Sequence, residues 1–174
     1  PAQSDYFQAT RGGGHGDYRN IVLGPSSCQE LTDLTYEAFD LADKYRIPVI
    51  ILGDGMLGQM MEPVELPPEI SIKKLPHKDW TLTGAKGRPS RFIRSLILDV
   101  FDEEEHNWKL MRKYERISKE EVRWETYLAE DAKLIVVAFG IAARIAKGAI
   151  KRIREEGLKV GLIRPSLFGL SHIR

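Results

Sequence analysis

Apolar residues gather in short, regularly spaced runs along this chain. Ile21, Val22 and Leu23 close on Gly24 and Pro25, which reads as a buried strand. Ser27 and Glu30 stand at capping-box spacing. Leu31, Leu34, Ala38, Leu41, Ala42 and Tyr45 then recur on one helical face. Pro48 ends that helix and opens a second apolar run through Leu52. Strand, helix and strand in this order predict a βαβ unit with parallel strands and a right-handed crossover. A second unit is predicted near the far end. It has a buried strand from Leu134 to Gly140, a helix with Ile141, Ile145, Ala149 and Ile153 down one side, Gly157 at its C-cap, and a strand ending at Pro165. Between the units, residues 60–89 are rich in proline and charge and read as an irregular crossing. From about Asp102 to Ala129 the pattern is helical, with Trp108, Met111, Ile117, Trp124, Tyr127 and Leu128 as scattered apolar contacts. Ser118 and Glu121 repeat the capping-box spacing there and predict two helices rather than one.

Composition narrows the class. The chain has 174 residues, 43% hydrophobic and 29% charged, enough for one domain or two small lobes. Its formal net charge of +1 gives no strong attraction to nucleic acid or a membrane surface. The single thiol, Cys28, cannot hold an iron–sulfur cluster or a structural zinc by itself. Such cysteine usage suits a reducing compartment, and a cytoplasmic location is expected. No apolar run reaches the ~18 residues of a membrane helix. The chain starts at Pro1 without a methionine and is expected to be a piece of a longer protein.

Two glycine-rich stretches carry the candidate chemistry. Arg11 to Tyr18 reads RGGGHGDY. No Gly-Lys-Ser/Thr follows, and the loop precedes a strand, so it is neither a P-loop nor a dinucleotide fingerprint. A tight turn with a solvated histidine explains it. A loop where His15 and Asp17 handle protons, or where Gly14 and Gly16 let backbone approach a ligand, explains it as well. Two ligands rarely make a metal site, and no metal is expected here. The second stretch, LGDGMLG, follows the second strand. Ligands bind at that end of an open parallel sheet, which makes Asp54, Gly55 and Gly58 candidates. The competing reading is a turn in which Asp54 bonds its own backbone. Gly140, between strand and helix, is a weak sign of anion binding. Cys28 at a helix start is a candidate for a lowered pKa, though its apolar setting favours a structural role. The basic loop KGRPSR reads as solvated, and His77, His106 and His172 form no cluster.

The residues together resemble a family. Gln3 and Asp5, then Gly14 to Asp17 leading into Ile21 to Pro25, then Tyr45 to Ile50 and Asp54 to Gly58, are similar to the alpha subunit of 2-oxoacid:ferredoxin oxidoreductases. The later stretches EEHNWKLMRKYERI and DAKLIVVAFGIAARIAKGAIKRIREEGLKVGLIRP resemble that subunit's connector and second domain. The branched-chain (2-oxoisovalerate) type is the nearest, with the 2-oxoglutarate type as the alternative.

The resemblance implies an α/β fold. Residues 1–66 would end a pyrimidine-binding domain for thiamine diphosphate, 67–130 would form the connector, and 131–174 would start a transketolase C-terminal-like domain. It implies coenzyme A-dependent oxidative decarboxylation of a 2-oxoacid to an acyl-CoA with reduction of ferredoxin. It further implies that thiamine diphosphate is shared with a beta subunit, and that magnesium and iron–sulfur clusters sit in partner subunits. Gly14, His15, Gly16, Asp17, Asp54, Gly55 and Gly58 would lie at the cofactor or at a subunit interface. The family's catalytic residues lie upstream of Pro1, so the stretch is expected to be inactive alone. SLFGLSHIR departs from the family's pattern. A non-catalytic α/β assembly module and a transketolase-like transferase are the competing functions.

Overall fold

The computed structural model describes residues 4–12, 14, 15, 18–68, 78–94 and 96–168. Helix α1 (Asp5–Arg11) precedes strand β1 (Ile21–Leu23), helix α2 (Cys28–Tyr45) and strand β2 (Val49–Ile51). Helix α3 (Val100–Glu120) leads to strands β3 (Trp124–Tyr127) and β4 (Leu134–Val137), helix α4 (Gly140–Glu155), and strands β5 (Val160–Pro165) and β6 (Leu167–Phe168).

Both expected βαβ units form. β1 and β2 run parallel, with Ile21 opposite Val49, and α2 crosses between them. β4 and β5 run parallel, with Leu134 opposite Val160, and α4 crosses between them. α2 starts as its sequence dictates: the Ser27 hydroxyl accepts the Glu30 N–H at 3.1 Å. It buries Ala38, Leu41 and Tyr45 against Ile21 and Leu23.

The two units are joined by the last described turn. One sheet has the order β3-β5-β4, the other β2-β1-β6. β5 and β6 are consecutive, so the chain steps from the centre of one sheet to the edge of the other. There β6 pairs antiparallel with β1, Phe168 opposite Val22. Tyr6, Phe139 and Phe168 fill the junction, with Phe139 and Phe168 ring centroids 4.7 Å apart.

Three local expectations are corrected. First, 102–129 holds one helix and a strand, not two helices. Asp99 caps α3, accepting the N–H groups of Phe101 and Asp102 at 3.0 and 3.1 Å. Ser118 lies inside the helix and donates to Glu115 O at 2.9 Å, so its capping-box spacing starts nothing. Trp124 to Tyr127 then pair with β5 as an antiparallel edge strand. Second, α4 buries Ala143 and Ile150, with Ala146 and Ile153 beside them, while Ile145 is exposed. The buried stripe is turned from the one expected, because the alanines let α4 sit close to β5. Third, β4 is an edge strand whose Leu134, Ile135 and Val137 are exposed, although its composition is that of a buried one.

Candidate functional site

The turn after β2 places Asp54 at the carboxyl end of the first sheet, where ligands of open α/β folds bind. Its carboxylate is committed to backbone. Oδ1 accepts the Leu57 N–H at 2.9 Å, and Oδ2 accepts the Ile141 N–H at 2.9 Å. The second bond caps α4, whose N-cap residue Phe139 provides no side-chain cap of its own. Gly140 turns at φ +58°, and a Cβ there would stand 3.1 Å from Asp54 Oδ2. The anion expected at this helix start is therefore the protein's own carboxylate, held by free N–H groups and the helix dipole.

Around that turn lies a cavity of about 170 Å³ lined by Asp5, Tyr6, Leu52, Gly53, Asp54, Gly55 and Phe139. It draws on α1, β2 and the start of α4, so both units build it. Of the expected site residues, Asp54 and Gly55 line it, and Gly58 lies further on, in the 3₁₀ turn Leu57–Gln59. Gly14 and His15 are exposed beyond α1, and among the described residues His15 makes no hydrogen bond or ion pair. Gly16 and Asp17 lie outside the described residues, as do Gln3, His77 and His172. α1 itself, with Asp5 and Tyr6, has no signal in the apolar periodicity.

Two polar clusters pin the second unit to the first. Arg164, 5% exposed, donates to Glu30 Oε1 and Oε2 at 2.6 and 3.0 Å and to Glu125 Oε2 at 2.8 Å. Glu30 also accepts the Ser26 N–H at 2.8 Å, so the capping-box glutamate reaches one residue past the cap and binds a charge besides. Glu62 pairs with Arg144 of α4 and accepts the Cys28 N–H at 3.1 Å. Arg144 and that N–H hold the Glu62 carboxyl down to about 2. Burial and the neighbouring Glu62 push the Cys28 thiol up, the opposite of the shift expected at a helix start. Neither cluster is visible in the spacing of the sequence.

A family model described as pyruvate flavodoxin/ferredoxin oxidoreductase, thiamine diphosphate-binding, matches residues 1–127. The chain belongs to this family. A model for pyruvate:ferredoxin oxidoreductase core domain II matches residues 132–169. The ketoisovalerate oxidoreductase subunit VorB of Methanothermobacter marburgensis is 49% identical over 95% of the chain and 47% of its own length. The 2-oxoglutarate synthase subunit KorA of Methanothermobacter thermautotrophicus is 33% identical over 94% of the chain and 50% of its own length. The chain therefore spans about half of these relatives. A solved 2-oxoglutarate:ferredoxin oxidoreductase from Magnetococcus marinus, with 2-oxoglutarate, coenzyme A and succinyl-CoA bound, superposes with TM-score 0.71 at 26% identity. It covers 95% of this chain and 33% of that one.

The family's cofactor does not fit these residues alone. A cavity of about 170 Å³ is small against the ~300–1,000 Å³ of ordinary ligand sites. Among the described residues no three His, Cys, Asp or Glu side chains come together to hold the metal that a diphosphate requires.

Proposed function

We propose that the chain is part of the alpha subunit of a thiamine diphosphate-dependent 2-oxoacid:ferredoxin oxidoreductase acting on a branched-chain 2-oxoacid such as 2-oxoisovalerate. The observation that carries this reading is the contrast in identity over nearly the same span. It is 49% to a ketoisovalerate oxidoreductase subunit and 33% to a 2-oxoglutarate synthase subunit. 2-Oxoglutarate is the second reading, favoured by the solved relative that holds it. The reaction consumes a 2-oxoacid and coenzyme A and yields an acyl-CoA, carbon dioxide and reduced ferredoxin. Thiamine diphosphate supplies the carbanion chemistry when bound.

In this reading the described residues form one wall of a shared site. The sheet-end turn at Asp54, Gly55 and Gly58 fixes that wall, and Gly14, His15, Gly16 and Asp17 face the cofactor or the beta subunit. A beta subunit supplies the diphosphate and magnesium groups. Iron–sulfur clusters belong to a further subunit, consistent with the roughly four thiolates a cluster needs against the single Cys28 of this chain. Residues 1–66, 67–130 and 131–174 act as domain end, connector and second-domain start. No helix among the described residues is long and apolar enough to cross a membrane, which accords with a cytoplasmic enzyme.

The test is reconstitution of the whole subunit with its beta and iron–sulfur partners. Coenzyme A-dependent reduction of ferredoxin is then measured with 2-oxoisovalerate and with 2-oxoglutarate. A kcat/KM at least tenfold higher for 2-oxoisovalerate is expected. A preference for 2-oxoglutarate moves the substrate to the second reading. An assembled complex that neither binds thiamine diphosphate nor turns over leaves a non-catalytic assembly module, and ketol transfer without ferredoxin reduction leaves a transketolase-like transferase.

A further inference from the structure

The cavity at the sheet end carries charge of one sign. Two of the described residues that line it are charged, Asp5 and Asp54, and both are acidic. Both Asp54 oxygens accept backbone N–H groups. Asp5, exposed in the first turn of α1, makes no hydrogen bond or ion pair among the described residues. Its charge is therefore uncompensated at the cavity. Much of the remaining wall is apolar. Tyr6, Leu52 and Phe139 are half-buried and pack on the cluster of Ala9, Val22 and Phe168. Tyr6 and Phe139 stack with ring centroids 5.5 Å apart, so aromatic rings back this face. Gly53 and Gly55 leave the other side open, since a Cβ at either would meet nothing within 4 Å.

Size and charge together select a ligand group. A water-sized group takes ~30 Å³. A cavity of about 170 Å³ admits an isopropyl or isobutyl group, although it is too small for a cofactor. Such a group exchanges water for an apolar wall, which favours binding. A carboxylate in the same place loses its water, meets no cation from these residues and lies beside two negative charges. Discrimination of this kind comes from repelling the wrong ligand as much as from holding the right one. 2-Oxoisovalerate and 2-oxoglutarate differ at that end, where one carries two methyl groups and the other a second carboxylate.

On the reading that the Asp54 turn walls the shared site, we propose that this cavity receives the side chain of the 2-oxoacid and that Asp5 selects branched-chain acids by repelling a second carboxylate. The test uses the whole subunit assembled with its beta and iron–sulfur partners, as wild type, Asp5→Asn, Asp5→Lys and Gly53→Val. kcat/KM is measured with 2-oxoisovalerate, pyruvate and 2-oxoglutarate. Binding is measured with the unreactive 2-hydroxyisovalerate and 2-hydroxyglutarate. Asp5 and Gly53 are exposed, so the fold is kept. Asp5→Lys is expected to raise kcat/KM for 2-oxoglutarate relative to 2-oxoisovalerate at least tenfold, through KM, with a matching gain in 2-hydroxyglutarate binding. Asp5→Asn is expected to raise it less. Gly53→Val narrows the cavity and is expected to lower the preference for 2-oxoisovalerate over pyruvate at least fivefold. A wild type that prefers 2-oxoglutarate overturns the substrate reading and the role of Asp5 together. A wild type that prefers 2-oxoisovalerate, with ratios and binding that no variant moves, overturns the side-chain site alone.

Discussion

Asp54 is the residue on which the reading of this site turns. Its place at a sheet end suits a ligand group, yet both of its oxygens accept backbone N–H groups, one of them 87 residues away. Asp54→Ala is expected to cost about 0.5–2 kcal/mol, the range for a lost helix cap. Asp54→Asn keeps an acceptor oxygen and is expected to cost less. Urea denaturation gives the size of the loss, and faster hydrogen exchange at the Ile141 amide would locate it. An Asp54→Ala protein of unchanged stability would show that the carboxylate serves a ligand instead.

Gly24 makes a different point. A Cβ there would stand 2.3 Å from Phe168 Cε2, and that ring is fixed between Tyr6 and Phe139. Gly24→Ala is expected to destabilise by about 1–3 kcal/mol through overpacking, read as a lower denaturation midpoint. Glu62 sets an acid limit. Its carboxyl sits near 2 in the folded chain, against an ordinary 4.5. A lowered carboxylate stabilises fully above its unfolded value, and that stability is lost as pH falls from 4.5 toward 2. Denaturation midpoints measured down this window should fall, and Glu62→Gln should flatten that fall.

Among the elements, β5 organises the most. It is the centre of its sheet and leads straight into β6 of the other, and it carries Arg164 into the buried cluster with Glu30 and Glu125. Leaving a buried charge half-paired is worse than removing it. Glu30→Ala is therefore expected to cost about 2 kcal/mol more than Arg164→Met, measured by the same denaturation. A reversed order would show that Arg164 contributes by attraction more than by avoided burial. The periodicity in the sequence predicts α2, α4 and their flanking strands, because each is a local pattern of one face. It fails at Trp124 to Tyr127, a strand whose side chains alternate exposed and half-buried at a sheet edge. It fails again at β4, where a run of Leu, Ile and Val reads as buried whether or not anything lies over it.

The described residues build two βαβ units locked together by β6, an aromatic cluster and several polar ties. The cavity at Asp54 lies at this junction, lined from α1, the turn after β2 and the start of α4. The family assignment was legible in the order of its motifs, though no single one was specific. Of the site itself, Asp54 and Gly55 were legible from their place after a strand. Asp5, Tyr6 and Phe139 were not, since they reach the cavity from separate elements.

By itself the sequence determined the two βαβ units, the start of α2 at Ser27 and the family. The elements and the cap rest on local order, where helix period, strand period and capping act, and the family rests on the order of its motifs along nearly the whole chain. Only the tertiary structure decided that Asp54 caps α4, that Glu30 binds Arg164 across 134 residues, and that β6 returns to β1. Those contacts depend on how finished elements meet in space, and a carboxylate's spacing in the chain carries no record of which N–H or guanidinium it will face.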